Sequence, residues 1–336
     1  MTRSGDTTDF GAMLQAFFAD RLIRQLNVSP RTVESYRDTF RLLLRYAQER
    51  LHRMPHSLRL DDVNVLVVSD FLDYLEKERG NCVRSRDARL AAIHSFYKYV
   101  GQRRPEKLRL VQEILALPNK RFEKPMLTFL SKEEMTSVLA APDISTWAGR
   151  RDSVMFSVLY NTGARVSELI KIRMEDVELV STTPCVKLHG KGRKQRTIPL
   201  WRETVALLRS WIKEEGLRAG QLLFCNRFNS QLTRSTVAER FALAVTKASE
   251  KCPQMRGRHI SCHTVRHTTA MHMLQGGIDI AVISLWLGHE SIETTMQYVE
   301  ADLKMQERAL KAVAPPGTRR VAYKPGDPLL HFLESL

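Results

Sequence analysis

Residues 185–200 read CVKLHGKGRKQRTIPL. Cys185-Val186-Lys187-Leu188 suits a strand, Gly190-Lys191-Gly192 suits a tight turn, and Arg196-Thr197-Ile198-Pro199-Leu200 suits a returning strand. The spacing predicts a β-hairpin over 184–200. Lys187, Lys191, Arg193, Lys194 and Arg196 are all basic and no acid lies between them, so the turn is also a concentrated positive charge. It reads equally as a solvated surface hairpin and as a basic finger that brings an ammonium to one phosphate.

Outward from this hairpin the chain reads as helices. Downstream they are expected at 201–215, 235–250, 264–275, 279–287, 291–299 and 302–313, and upstream at 132–140, 150–161 and 165–173. Ser131 and Glu134 have the spacing of a capping box that opens this second region. In the first hundred residues, Met13, Leu14, Phe17, Phe18 and Leu22 fall at helical spacing within 10–25. Ser29-Pro30 starts a second helix that carries Tyr36, Phe40, Leu43 and Leu44. A third is expected from Ser69-Asp70 to just before Gly80, and a fourth over 83–100. Four helices without strands predict a small bundle. The organisation read from this pattern is a helical domain at 1–103, a connection at 104–127, a second domain at 128–314 and a tail at 315–336. The fold class is mainly α with a small β-hairpin.

Lysine and arginine number 52 against 37 acids, a net charge of +15. Such an excess repels itself unless a polyanion relieves it, and nucleic acid is the first candidate. Arg84 and Arg86 on the fourth helix are read as DNA-facing, against the alternative of a solvated helix face. No apolar run reaches the roughly 18 residues of a membrane span, and the start MTRSGDTTDF has no secretory core. Five cysteines without CxxC pairing suit reduced thiols, so a cytoplasmic protein without a disulfide frame or a metal is expected.

Four stretches carry chemistry. In 160–169 an apolar helix ends at a glycine turn and Arg165 opens the next helix. There its planar fork can grip phosphate oxygens, with Ser167 and Glu168 holding it; a structural salt bridge is the other reading. In 261–267, His263 and Arg266 are three apart near a helix start and can reach one anion. Zinc between His263 and His267 is disfavoured, because no HExxH glutamate or ligand set accompanies them, and His267 and His272 read as structural. In 287–298, Gly288 ends a helix, His289 falls in the turn, and Tyr298 rides the helix that follows. A lone tyrosine of this kind is usually core; its company sets this one apart.

Together NTGARVSEL (161–169), HGKGRKQRTIPL (189–200), HTVRHTTA (263–270), LGHES (287–291) and TTMQYV (294–299) resemble the tyrosine recombinases of the integrase and Xer type. The resemblance spans most of 10–315. It implies a SAM-like core-binding domain and a catalytic domain closing on double-stranded DNA as a C-shaped clamp, without metal, cofactor or ATP. It implies Tyr298 as nucleophile forming a 3′-phosphotyrosyl bond, Arg165 and Arg266 on the non-bridging oxygens, and Lys191 as proton donor to the leaving 5′-oxygen. His263 would assist the tyrosine's proton, His289 would bond the phosphate, and Glu168 would support. Lys187, Arg193, Lys194 and Arg196 would join Arg84 and Arg86 on DNA. A cationic pocket is expected to favour the phenolate. The resemblance also implies a homo-oligomer, a tetramer on paired sites, and is compatible with a partner recombinase. Relatives pass a C-terminal helix to a neighbour, so 302–313 or the last segment is expected to do so, with a tail folded back on its own domain as the other reading. A type IB topoisomerase-like nicking enzyme, or a catalytically silent DNA-binding protein, are the alternative readings.

Overall fold

The computed structural model describes residues 9–122, 127–190, 194–289 and 291–301, with 299–301 as backbone only. Lys191 and Arg193 of the hairpin tip, the expected 302–313 helix and the 315–336 tail lie outside the described residues. The chain forms two compact units, 1–124 and 125–336.

In the first unit, helix α1 (Asp9–Ala16) runs on into wider, π-helical turns over Phe17–Gln25. Then come α2 (Pro30–Leu51), α3 (Val65–Lys77), α4 (Val83–Arg103) and α5 (Leu108–Leu115). Ser29 caps α2 as expected, its hydroxyl accepting from the Thr32 amide at 3.2 Å. Helix α3 starts at Val65 rather than at Ser69, because the Asn64 side chain accepts from the amides of Leu66 and Val67, both at 3.1 Å. That cap puts Val67 and Val68 into the core. Helix α5 lies within the stretch read as a connection and buries Val111 and Ile114 in the same core.

Aromatic rings hold this core together. Phe96 of α4 meets Phe10, Phe17 and Phe40 at centroid distances of 5.4, 5.5 and 5.2 Å. Truncating such a ring to alanine costs about 3–5 kcal/mol. Arg86 is a correction to the DNA-facing reading: it is buried, and Nη1 donates to Asp87 Oδ1 at 2.7 Å and to the Pro118 carbonyl at 3.0 Å. The reason is helical register. Arg86 precedes Leu90, Ile93 and Tyr97 on the face that packs inward, whereas Arg84 points out and is exposed.

The second unit holds α6 (Lys132–Leu139), α7 (Trp147–Thr162), α8 (Val166–Leu169), α9 (Arg202–Glu215), α10 (Arg234–Lys251), α11 (Cys262–Gln275), α12 (Ile280–Leu287) and α13 (Glu293–Ala301). Its capping box is present: Ser131 Oγ accepts from the Glu134 amide and Glu134 Oε2 from the Ser131 amide. An antiparallel sheet orders β1 (Val177–Glu178), β2 (Cys185–His189) and β3 (Gln195–Pro199). The hairpin is where the sequence places it; β1 is too short to show a periodicity of its own. Val186 pairs with Ile198, and both are buried. The next pair along that face is Leu188 with Arg196, which sends the arginine side chain inward as well.

Helix α7 is the spine. Val154, Met155, Phe156, Val158 and Leu159 are buried, and α9 and α11 pack against it. Among the described residues, no helix is long and apolar enough to cross a membrane.

Candidate active site

The site is built where three helix ends meet. Helix α7 stops at Gly163, whose φ of +58° is the left-handed conformation that glycine adopts at little cost. Helix α12 stops in the same way at Gly288, φ +65°. The two turns present the carbonyls of Gly163 and Leu287 to one buried guanidinium. Arg266 on α11 donates from Nη1 to Gly163 and from Nη2 to Leu287, both at 2.7 Å. Carbonyls at helix C-termini carry partial negative charge, so the seat suits a cation. Burial chiefly, then Arg165, holds Arg266 down to about 10. It is therefore still charged at neutral pH.

Arg165 stands just before α8, at the rim, with two-fifths of its side chain exposed. Glu168, one turn on, is 4% exposed and organises the cations. Its Oε1 accepts from Arg165 Nη1 at 2.9 Å, and its Oε2 from Arg196 Nη2 at 2.7 Å and from the Arg165 amide at 3.0 Å. Burial pushes the Glu168 carboxyl up, but the bonds from Arg196 and Arg165 outweigh it, and the group stays below the usual carboxylate range. Arg196 also donates from Nε to the Trp286 carbonyl at 2.9 Å. This corrects the reading of Arg196 as a DNA contact: its fork ties the hairpin to α8 and α12, because β3 turns it inward.

Lys187 and Lys194, also on the hairpin, are exposed. Gly190, next to Lys191, lies against the same carboxylate: a Cβ there would stand 3.4 Å from Glu168 Oε1. The root of the hairpin turn therefore adjoins the site.

Tyr298 on α13 is 1% exposed, as is Arg266. Its hydroxyl stands 3.0 Å from His267 Nδ1. The His289 ring lies parallel to the Tyr298 ring, interplanar angle 12° at 6.3 Å, and His289 Nδ1 is 2.7 Å from the Thr295 hydroxyl. Burial raises the phenol above its ordinary value and outweighs the opposing effects of Arg266, a hydrogen bond from the Gln297 side chain, and Arg165. The expected phenolate is thus not favoured here: desolvation of the anion exceeds the attraction of the nearby cations. Burial, with Arg266, Arg165 and His267 next, also holds His289 down to about 4.

His263 is exposed on the same α11 face, its ring 4.4 Å from that of His267. Arg165, Glu168, Arg266, His289 and Tyr298 are thus gathered at one place, with His263 beside them. The structure adds the contact of His267 with the Tyr298 hydroxyl and the inward direction of Arg196, neither of which the sequence reading includes. The signal for His267 was its i,i+4 spacing from His263, which puts both on one helix face.

Comparison with known proteins fits this geometry. The phage integrase family model matches residues 128–305, and the model of its N-terminal SAM-like domain matches 15–104. The chain belongs to the phage integrase family. A Sinorhizobium fredii member, y4rC, assigned by name to the integrases/recombinases, is 42% identical over 96% of this chain and 97% of its own. The tyrosine recombinase XerD of Pseudomonas aeruginosa is 31% identical over 84% of this chain and 90% of its own. Among solved structures, the XerH site-specific recombinase in a post-cleavage complex with its difH substrate superposes with a TM-score of 0.67. It is 20% identical and covers 85% of this chain and 80% of its own, which supports the integrase fold.

Proposed function

We propose that this integrase-family chain is a site-specific tyrosine recombinase that cleaves and rejoins double-stranded DNA through a 3′-phosphotyrosyl intermediate. The observation that carries the reading is the shared pocket of Arg266 and Tyr298. Arg266 is anchored to a carbonyl 103 residues away and to another 21 residues away. The phenol lies against His267 of the same helix as Arg266, with the His289 ring beside its own.

Tyr298 Oη attacks the phosphorus, the bond to the 5′-oxygen breaks, and the phosphate remains esterified to the tyrosine. Arg266 and Arg165 neutralise the non-bridging oxygens. A guanidinium has five N–H donors, so Arg266 keeps others beyond the two given to carbonyls. Its fixed seat means that little reorganisation accompanies the build-up of charge, which is where such pockets gain rate. Lys191, which follows Gly190 at the edge of the site, gives the leaving 5′-oxygen its proton. His263 helps the phenol lose its own, and His289 bonds the phosphate. The ester conserves the diester's energy, so a 5′-hydroxyl reseals it without ATP.

Arg84, Lys187, Arg193 and Lys194 supply backbone contacts on DNA. Each chain brings one nucleophile, Tyr298, so exchange of two duplexes, which breaks four strands, calls for a homotetramer on paired sites. A second recombinase can share that assembly.

The test is a duplex nicked just 3′ of the scissile phosphate, which loses its short 5′-hydroxyl fragment after cleavage and traps the adduct. The native protein is expected to give a covalent complex, and Tyr298→Phe none while still binding. An adduct that persists in Tyr298→Phe refutes the assignment.

A further inference from the structure

His267 is a residue that the chemistry above leaves unused, yet its ring nitrogen lies within hydrogen-bond distance of the reacting oxygen. Its Nδ1 lies 3.0 Å from Tyr298 Oη, and the two rings meet at 5.6 Å and 57°. On its other side stands the His263 ring at 4.4 Å. His267 follows Arg266 directly on α11, and Arg266 is clamped by two carbonyls, so its backbone is as fixed as that seat.

We propose that His267 is a positioning residue for the nucleophile: its Nδ1 accepts the phenolic hydrogen and thereby sets the place and direction of the Tyr298 hydroxyl. This requires the proton of the neutral ring to be on Nε2. Burial chiefly, with His263 and Arg266 next, pushes His267 down to about 4, so the ring is neutral at pH 7 and free to accept. The same fact separates positioning from proton abstraction. Burial holds the Tyr298 phenol above its ordinary value and the His267 ring below its own, so transfer of the phenol's proton to this ring is disfavoured. His267 therefore holds the hydroxyl without being its base. A hydroxyl that donates to Nδ1 also keeps its lone pairs clear of that contact, so they remain available for attack.

This inference rests on Tyr298 being the nucleophile. The test measures single-turnover adduct formation on the nicked duplex for the full-length chain, with DNA affinity and thermal melting recorded for each variant. His267→Leu removes the acceptor and is expected to slow adduct formation by at least about tenfold, the scale of one lost hydrogen bond, with DNA affinity unchanged. His267→Asn places an amide oxygen near the position of Nδ1 and is expected to bring the rate back to within about fivefold of the native protein. A purely structural role does not predict that rescue from a group with no imidazole.

His267→Leu as fast as the native protein, or faster, overturns the proposal. So does His267→Asn no better than His267→Leu, which points to a ring used as a base. Should His267→Leu fail to fold, His267→Gln replaces it, since its oxygen sits about one bond further out; Asn is then expected to exceed Gln by about tenfold, and equal rates overturn the proposal. Adduct from Tyr298→Phe refutes the proposed function itself. A Tyr298-dependent adduct indifferent to His267 refutes only this inference.

Discussion

Gly163→Ala tests the architecture of the site most directly, and Gly216→Ala is its built-in control. Both glycines end a helix at φ +58°. An alanine in that conformation costs about 1–2 kcal/mol, wherever it stands. At Gly216 a Cβ meets nothing within 4 Å, so the backbone strain is the whole expected cost. At Gly163 a Cβ would stand 2.6 Å from Leu287 Cδ2, and Leu287 is fully buried. Overpacking of this kind adds about 1–3 kcal/mol. The expected losses are thus about 1–2 kcal/mol for Gly216→Ala and about 2–5 kcal/mol for Gly163→Ala. Urea unfolding measures both, since both residues belong to the second unit. Activity should separate the two further. Relief of the overlap pushes apart the carbonyls of Gly163 and Leu287 that hold Arg266. Adduct formation on the nicked duplex should fall at least about tenfold in Gly163→Ala, given the cost of displacing catalytic groups by an ångström. It should stay near the native rate in Gly216→Ala. Equal destabilisation in the two variants would show that the two helix ends are not in tight contact. An unaltered rate in Gly163→Ala would show that the Arg266 seat does not depend on that contact.

Glu168→Gln leaves Arg165 and Arg196 without their shared carboxylate; a loss of about 3–5 kcal/mol and of adduct is expected, and a change under about 1 kcal/mol contradicts the buried-pair account. Arg84→Ala should lower the slope of log affinity against log salt by about one with the melting point unchanged, whereas Arg86→Ala should lower the melting point of the first unit; the reverse result contradicts the inward placement of Arg86. His267 and His289 are held at about 4 in the folded chain against an ordinary value of about 6.5. The unfolded chain then takes up protons first as pH falls. Their contribution is complete above about 6.5 and declines down to about 4, by about 1–2 kcal/mol each after allowance for partial exposure. His289→Asn should flatten urea stability between pH 7 and 5; an undiminished slope contradicts this.

The hairpin and most of the described helices were readable from the chain alone because their signals are local, whereas α5 was read as a connection and the helix expected at 165–173 is only Val166–Leu169. Ser29-Pro30 and the Ser131–Glu134 box are caps made by neighbouring residues. The alternation across Val186, Leu188 and Ile198 needs only a period of two. The motif residues were readable as chemistry because phosphate calls for guanidinium, ammonium and imidazole in any fold. Direction was not readable. Arg84 and Arg86 are the same residue type two positions apart, and only packing put one outside and the other against Pro118. Arg196 looked like one of five equivalent basic side chains until the pairing with Leu188 turned it toward Glu168. The ionisation of Tyr298 was misjudged for a related reason. Composition shows how many cations a pocket holds, but desolvation depends on how completely neighbours exclude water, and that is set by packing of residues distant in sequence. Residue identity and local periodicity therefore determined the elements and the available chemistry; burial and side-chain direction, which are properties of the whole packed unit, decided which groups meet and in which charge state.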